Sequence, residues 1–473
     1  MKAFSLVELT IALWIMTAAI TAVALASFWL PTVVQDAART AGAIRVVRAE
    51  LAHAAASSNG IYSGTFAEEP GEDASRTDAR ASVSWKSLFG TQRTLSLEAV
   101  RIDPSAHPAC DPFVSGDWYH PKTVSSTSIP GAEIAALAAT PDALVVALES
   151  ASSTDAATLL FYALHGTSSP ELMGGIDAAS TSRIGFSSVA ASGDEVFAGN
   201  AFASRSAQTC SGGAACAQVQ AYSIYAISSP ELVGTLSFAT SSEPYALAAG
   251  GTPAAVRTLM YKDGLLYAGL YKTASGDEFN IIDARDPAHL AWVSGIRIGR
   301  TVNDIQVRDG YAFVSTDDPS KELLVLDVHD PAHPAEAGSW NASGSASFGY
   351  GSASTVHAGT IRFGRTYTNN GSEFELLDAR DPSRITLVQH ADIGTVRDPE
   401  SVRTLLTQDW LTFALLTHRL TFWNTGDTAR MAEYAPAHEL PAGSTGAALA
   451  CRNNLLYLAR NTSSGGIIDV LSG

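Results

Sequence analysis

Most of the chain repeats one pattern, and this repeat constrains the fold more than any other feature. Between residues 118 and 473, an apolar run ends in Asp or a small residue, a short turn that often contains Pro follows, and a second run begins. The clearest copies read NIIDARDPAHLAWVSGI, LLVLDVHDPAHPAEAGSW and FELLDARDPSRITLVQHADI. The residues that end the first run recur about every 51 positions, and they are Ala163, Ala226, Asp283, Asp327, Asp378, Asn424 and Asp469.

A tight turn between two apolar runs precedes each of these residues, as in the hairpin-favouring pairs Asp263-Gly264 and Asp309-Gly310. Each copy therefore predicts four antiparallel strands, and seven copies predict a mainly β fold, a seven-bladed β-propeller over 118–473. The seventh copy stops after its third strand. Residues 120–129, HPKTVSSTSI, have the form of the missing strand. We expect them to pair with Gly466–Leu471 and to close the ring, which removes two sheet edges.

The repeats resemble the LVIVD family, which is named for an apolar strand ending in Asp, here IIDARDP, VLDVHDP and LLDARDP. The resemblance implies a surface propeller and no fixed chemistry. The aspartates favour a structural role, because each can accept backbone N–H bonds in a turn where Pro stops the strand. A metal site is the alternative, but no DxDxDG-type loop occurs, so we expect no metal. The residues assigned to structural turns are Asp283, Asp327, Asp378 and Asp469.

A second constraint lies at the N-terminus, where Leu9–Gln35 contains no charged residue. A helix of this length measures about 40 Å, which exceeds the roughly 30 Å hydrocarbon core of a bilayer. A cleaved secretory signal fits poorly, because Glu8 stands at the start of the apolar run and a carboxylate entering a membrane usually has a partner.

The segment MKAFSLVELTIALWIM resembles the N-terminus of type IV prepilins. The resemblance implies a leader over 1–3, cleavage between Ala3 and Phe4 by prepilin peptidase, and methylation of Phe4. It also implies that Glu8 neutralises the Phe4 ammonium group of a neighbouring subunit in the filament, where an unpaired charge would be costly. Ala3 departs from the Gly usual in the family.

This resemblance implies a single-pass protein of the inner membrane that later joins an extracellular pilus or the cell surface, with other pilin subunits as partners. The positive-inside rule points the other way, because Lys2 precedes the span whereas Arg39, Arg45 and Arg48 follow it. The two indications conflict at this stage.

Between the span and the repeats, the sequence predicts a long helix over 4–58 and a small pilin-like β-sheet over 59–103. Within the latter, residues 59–79 are rich in Gly, Glu, Asp and Ser and predict a loop, whereas SVSWKSLFG and RTLSLEAVRI predict a β-hairpin. Residues 104–117 contain three prolines and predict a linker.

Four cysteines are candidates for disulfides if the domain is exported. Cys210 and Cys216 bracket the short segment CSGGAAC and suit a local bridge. Ring closure would bring Cys110 near the seventh blade, where Cys451 lies, so a bridge between these two is a second candidate.

The chain lacks GxSxG, Walker, GxGxxG and HExxH motifs, so we expect no enzyme activity and no cofactor. Polar residues where the inner strands begin are weak candidates for a ligand site in the channel, with a hydrated lining as the alternative. These residues are Arg257, Asn303, Asp304, Glu400 and Arg403. The balance of 30 Lys and Arg against 47 Asp and Glu gives a net charge of −17, which argues against nucleic acid as a partner.

Together these features favour a minor type IV pilin or pilin-like surface protein that displays a propeller for adhesion or for binding a protein or glycan. A pseudopilin of a secretion or DNA-uptake machine is an alternative. A membrane-tethered enzyme with its site in the channel is a second alternative. The sequence does not name the surface ligand.

Overall fold

The structure is a computed structural model in which the chain divides into two units, Met1–His107 and Pro108–Gly473. Each unit is described by itself. In the first unit the structure describes the backbone of residues 62–70, 76–86 and 92–102. In the second unit it describes 117–151, 157–164, 169–176, 185–201, 217–237, 254–342, 349–357, 359–366, 372–393, 400–408, 410–426, 431–452 and 454–473. The expectations for residues 1–58 and 104–116, and for the Cys210–Cys216 bridge, lie outside the described residues.

The first unit contains a three-stranded antiparallel sheet formed by β1 (Tyr62–Pro70), β2 (Arg76–Lys86) and β3 (Gln92–Ile102), in that order. In the β2–β3 hairpin, Val83 lies opposite Leu95. The loop predicted over 59–79 is wrong, because it contains β1 and the beginning of β2, and β1 pairs along its whole length with β2. Its Gly, Glu and Pro content hides the strand, and strand formation depends more on the neighbouring strand than on such propensities.

The second unit contains seven four-stranded antiparallel sheets. Blade 1 contains β5 (Ala132–Ala139), β6 (Ala143–Ala151), β7 (Leu159–Ala163) and β8 (Glu171–Ile176). Blade 2 contains β9 (Phe186–Ser192), β10 (Glu195–Asn200), β11 (Val219–Ser223) and β12 (Glu231–Leu236). Blade 3 contains β13 (Val256–Lys262), β14 (Leu265–Leu270), β15 (Phe279–Asp283) and β16 (Ala291–Ile296).

Blade 4 contains β17 (Val302–Arg308), β18 (Tyr311–Thr316), β19 (Leu323–Asp327) and β20 (Ala335–Trp340). Blade 5 contains β21 (Tyr350–His357), β22 (Thr360–Thr366), β23 (Phe374–Asp378) and β24 (Thr386–Ala391). Blade 6 contains β25 (Thr404–Gln408), β26 (Leu411–Leu415), β27 (Arg419–Asn424) and β28 (Ala432–Glu439). Blade 7 contains β29 (Thr445–Arg452), β30 (Leu455–Thr462), β31 (Gly465–Ser472) and, as its outer strand, β4 (Lys122–Pro130).

The first strands of successive blades contact one another all the way round, including β29 with β5, so they form the innermost layer of a closed ring. The seven-bladed propeller predicted from the repeats is confirmed. Blade 7 joins both ends of the repeat region, because β4 pairs with β31, with Ile129 opposite Gly466 and Thr123 opposite Leu471. The pairing covers the edge of β31 that would otherwise be open, and β4 becomes an outer strand like those of the other blades.

Buried side chains between the blades form the core. An aromatic residue recurs at the third position of the second strand, and it shares a buried cluster with residues of the next blade. Phe197, for example, lies in one cluster with Leu266 and Ala284 of blade 3. The aromatic residues at this position are Phe197, Tyr267, Phe313, Phe413 and Tyr457. Blade 5 has the buried Arg362 there instead.

Every outer strand carries a β-bulge at the same place, where one residue has no partner on the third strand. The bulged residues are Val124, Met173, Val233, Val293, Ala337, Val388 and Tyr434. Bulges bend and twist an exposed strand and discourage pairing with other chains. The residue after the bulge is Gly in blades 1, 2 and 4, where a backbone carbonyl in the turn of the next blade lies close to it.

Gly234→Ala should therefore destabilise the propeller by about 2 kcal/mol. A Cβ at Gly234 would lie 1.9 Å from the carbonyl oxygen of Pro287 in blade 3, so backbone has to move. Chemical denaturation of the full chain measures the effect. Gly174→Ala is the matched control at the same repeat position in blade 1, where the nearest atom would be 3.3 Å away. Equal losses in the two variants would contradict the role given to the Pro turn.

Candidate functional site

Three of the turn aspartates hold the turns that end the third strands. Asp283, Asp327 and Asp378 each accept the backbone N–H of the residue two positions later, at 3.1, 3.0 and 3.0 Å. The guanidinium of Arg380 also donates to Asp378 and lowers the pKa of that carboxyl to about 2. These contacts are local and structural, as the sequence predicted from the Asp–Pro spacing.

Asp469 is an exception, and its assignment to a turn is wrong. It lies inside β31, where its carboxylate binds Arg460 at 2.6 Å and accepts a hydrogen bond from Ser126 of the closing strand. The residue equivalent to Asp283 is Ser472, because Ser472 lies opposite Leu455 as Asp283 lies opposite Leu265. The segment GIIDVLSG resembles the repeat motif, but its strand continues three residues beyond Asp469.

Two of the channel candidates, Asn303 and Asp304, belong to blade 4 and form hydrogen bonds to blade 5. The Asn303 side chain donates to the carbonyl of Gly351 at 2.7 Å. Asp304 accepts the backbone N–H of Ser354 at 2.7 Å and its hydroxyl at 3.2 Å. Burial raises the pKa of Asp304, and the bonds from Ser354 oppose that shift. Both residues thus tie the inner strand of blade 4 to that of blade 5.

The other three candidates have separate surroundings. Arg257 is exposed and lies 5.8 Å from the ring centre of Tyr271, a cation–π distance. Glu400 is fully buried and accepts hydrogen bonds from the backbone of His418 and from Arg419 at 3.2 and 3.3 Å. Arg403 is exposed. The contacts found for the five candidates do not converge on a common constellation, and the described residues contain no cluster of three or more His, Cys, Asp or Glu suited to a metal.

Sequence reasoning missed a row of buried glutamates that directly precede the third strands of blades 3 to 5. Glu278 accepts hydrogen bonds from Thr273 and from the N–H groups of Ile298 and Gly299, at 2.7 to 3.1 Å. Glu373 accepts the N–H of Ile393 at 2.7 Å. Glu322 instead binds Arg365 of the next blade. The signal was present, because the three clear copies read EFNIID, ELLVLD and EFELLD.

A buried charge cluster lies between blades 4 and 5. The guanidinium of Arg365 forms two bonds of 2.8 Å to Glu322 and lies 3.6 Å from Glu375. Ser372 donates to Glu375 Oε1 at 3.0 Å, whereas Glu375 Oε2 has no hydrogen-bond partner among the described residues. Burial raises the pKa of Glu375 to about 7. The electrostatic interactions at this contact between blades 4 and 5 therefore depend on whether the Glu375 carboxyl is protonated.

The most distinctive surface feature is a row of aromatic rings on blades 6 and 7, which we name the aromatic row: Trp410, Tyr434 and Tyr119. The ring centres of Trp410 and Tyr434 are 5.0 Å apart, and those of Tyr434 and Tyr119 are 6.0 Å apart. Trp410 is 43% exposed and Tyr119 is 46% exposed. Tyr434 is partly buried between them. Large aromatic residues are normally buried more fully, so two exposed rings joined by a third indicate a contact surface.

Local structure fixes the positions of these rings. Trp410 lies in the turn between β25 and β26, where its carbonyl accepts the N–H of Thr425 at 2.7 Å. Gly426 leaves room for it, because a Cβ there would lie 2.5 Å from the Cβ of Trp410. Tyr434 is the bulged residue of β28, and a bulge redirects a side chain. Tyr119 precedes the closing strand β4.

Polar groups surround the aromatic row. His120 lies beside Tyr119, with ring centres 4.9 Å apart, and its Nδ1 is 3.1 Å from the carboxylate of Asp117. This hydrogen bond lowers the pKa of Asp117, which keeps the group a charged acceptor. Glu433, next to Tyr434, is exposed. The surface thus combines apolar rings with carboxylate acceptors.

Cys451 is buried in blade 7 and is disulfide-bonded, with its partner outside the described residues. The pairing of Cys451 with Cys110 stays a prediction.

Peptide mapping without reduction should recover the two cysteines in one linked peptide, whereas linkage of Cys451 to Cys210 or Cys216 would contradict it. If the pairing is right, Cys110→Ser should lower the free energy of unfolding by about 2 kcal/mol, because the bridge restrains the closure of the ring.

Comparison with known proteins agrees with the repeat pattern. The LVIVD repeat family matches residues 299–342, so the chain contains an LVIVD repeat. No curated protein matches the chain. In the described part of the chain, no helix is both long and apolar enough to cross a membrane, and Leu9–Gln35 lies outside that part.

Three solved structures have a similar arrangement at low identity. The extracellular domain of a proposed one component system, BT4673, from B. thetaiotaomicron is 11% identical, with a TM-score of 0.44 over 74% of this chain and 40% of that one. The AfRom2 CNH domain is 6% identical, with a TM-score of 0.38 over 75% and 99%. A chain from an S. cerevisiae complex of dbp5 with nup159, gle1, ip6 and adp is 11% identical, with a TM-score of 0.39 over 75% and 95%. The chain thus spans less than half the length of the first of these proteins.

Proposed function

We propose that this chain is a minor type IV pilin or pilin-like surface protein whose propeller mediates adhesion by binding a protein or glycan, without catalysis and without nucleic acid as a partner. The observation that carries the binding role is the aromatic row, in which Trp410 and Tyr119 are exposed. By contrast, Asn303, Asp304 and Glu400 of the predicted channel site bond to neighbouring parts of the propeller. The prepilin-like segment, with cleavage after Ala3 and Glu8 in the apolar run, supports the pilin role.

Locating the protein tests the proposed role. Filaments sheared from cells should contain the processed chain, which begins at Phe4, together with other pilin subunits. Antibodies against the propeller should label intact cells. Detection in the envelope alone would instead support a pseudopilin of a secretion or DNA-uptake machine, and absence from the outer surface would contradict the adhesive role.

Glu8→Ala should leave a membrane-inserted protein that does not enter filaments, because the ammonium group of the neighbouring Phe4 then lacks a counter-charge in an apolar bundle. Immunoblots of sheared filaments and of membranes measure this distribution. Glu50→Ala is the matched control, since Glu50 follows the uncharged run. Normal incorporation of the Glu8 variant would refute its role.

A further inference from the structure

We propose that the aromatic row binds a neutral polysaccharide, with sugar rings lying on the exposed parts of Trp410 and Tyr119. This inference rests on the proposed surface role and names the ligand class for it. It starts from the contacts of the rings. Tyr434 meets Trp410 at 70° and Tyr119 at 86°, so the three side chains form one continuous, rigid group rather than separate exposed residues.

The chemistry around the rings suits a ligand that has both apolar faces and hydroxyl groups. The C–H face of a sugar packs on an aromatic ring, while its hydroxyls donate to acceptors at the edge. The aromatic row offers carboxylates for that purpose at one end in Asp117 and beside its middle ring in Glu433. A purely hydrophobic partner would leave these carboxylates desolvated without a donor, which is costly.

The size of the row argues for a chain of sugars over a protein. An aromatic side chain contributes about 150–250 Å², and less than half of Trp410 and of Tyr119 is exposed. The exposed area of the row is therefore on the order of 200–300 Å², well below the roughly 800 Å² per partner of a stable protein interface. A short stretch of polysaccharide needs no larger footprint.

Charge selects among polysaccharides. The rim carries Asp117 and Glu433, and the whole chain has a net charge of −17. A sulfated or uronic acid polymer would be repelled by both the rim and the overall field. The ligand expected here is therefore uncharged.

The full chain, purified in detergent, tests this inference by depletion onto insoluble cellulose, chitin and amylose, with immobilised heparin as a polyanionic probe. We expect binding to at least one neutral polymer, at least tenfold weaker for Trp410→Ala and intermediate for Trp410→Phe. Tyr225→Ala is the matched control, because Tyr225 is 60% exposed on blade 2, away from the row, and its loss should leave binding unchanged. Unchanged melting curves show that the variants fold.

Three results would overturn the inference: no binding to any neutral polymer, binding that the Trp410 variants do not weaken, or binding to heparin alone. The last two would leave the adhesive role intact but move the site elsewhere. Surface labelling of cells separates the two proposals. A protein that is displayed and supports adhesion after Trp410→Ala refutes the polysaccharide site only, whereas a protein absent from the surface refutes the proposed function.

Discussion

Arg362→Ala should lower the free energy of unfolding by about 3–5 kcal/mol, which makes it one of the most damaging single changes in the propeller. Arg362 is buried, and its guanidinium donates to the carbonyl of His357 at 3.0 Å, to the hydroxyl of Thr425 at 3.1 Å and to the carbonyl of Thr425 at 3.0 Å. Removing it leaves a cavity and several buried acceptors without donors. Urea denaturation of the full chain measures the loss.

The reason for this arrangement lies in the repeat. Arg362 occupies the position where five other blades have an aromatic residue, and Thr425 occupies the position of Ala284, Val328 and Ala379. In blades 2 to 4, the aromatic residue shares a buried cluster with this aliphatic residue of the next blade. Between blades 5 and 6, both partners are polar, and the hydrogen bonds of Arg362 replace the apolar contact. Burial lowers the pKa of Arg362 to about 10, which means that the buried site disfavours the charged form of the guanidinium.

Arg362→Phe combined with Thr425→Ala should therefore recover most of the stability lost in either single variant, because the pair restores the apolar contact found in blades 2 to 4. A double-mutant cycle isolates this coupling, and we expect it to exceed about 1 kcal/mol in the favourable direction. Arg300→Ala is the matched control, since Arg300 is 42% exposed and lies 4.0 Å from Asp318. Additive losses in the cycle would show that the two positions act independently.

The parts of the fold that the sequence predicted correctly depend on local chemistry or on the number of strands in each repeat. The Asp–Pro turns follow from residues two to four positions apart, so Asp283 and its equivalents could be assigned directly. The closing pair β4–β31 follows from a seventh copy that lacks one strand. Asp469 was misassigned because the copy ends in a motif shifted by three residues, which only the pairing of Leu455 with Ser472 reveals.

The candidate site was largely beyond sequence reasoning. Trp410 and Tyr434 both belong to blade 6 but lie 24 positions apart, and Tyr119 reaches them only because the first strand of the repeat region completes the last blade, beside blade 6. The residues chosen for the channel could not be separated from structural ones by type, since Asn303 and Asp304 look like ligand-binding groups until their bonds to blade 5 are seen. The buried Arg362 likewise reads as an ordinary polar residue of a strand.

Raising the pH from 4.5 to 8 should weaken the propeller through Glu375. Its pKa in the folded protein is about 7, above the ordinary value of 4.5, mainly because the carboxyl is buried. The folded state therefore binds the proton more tightly than the unfolded state. The resulting stability is fully present below pH 4.5 and is lost as the pH rises through 7, and a difference of 2.5 between the two values corresponds to about 3 kcal/mol.

Glu375→Gln removes this dependence because the amide stays neutral at every pH. The variant should match the parent near pH 4.5 and exceed its free energy of unfolding by about 3 kcal/mol at pH 8. The comparison uses the difference between the two proteins, since Glu195 also has a pKa raised to about 7 by burial and adds its own slope to both. Glu336→Gln, at an exposed ion pair with Lys321, serves as the matched control and should change little. Parallel pH profiles of the parent and the Glu375 variant would show that Glu375 is ionised in the folded protein at neutral pH, compensated by Arg365 at 3.6 Å.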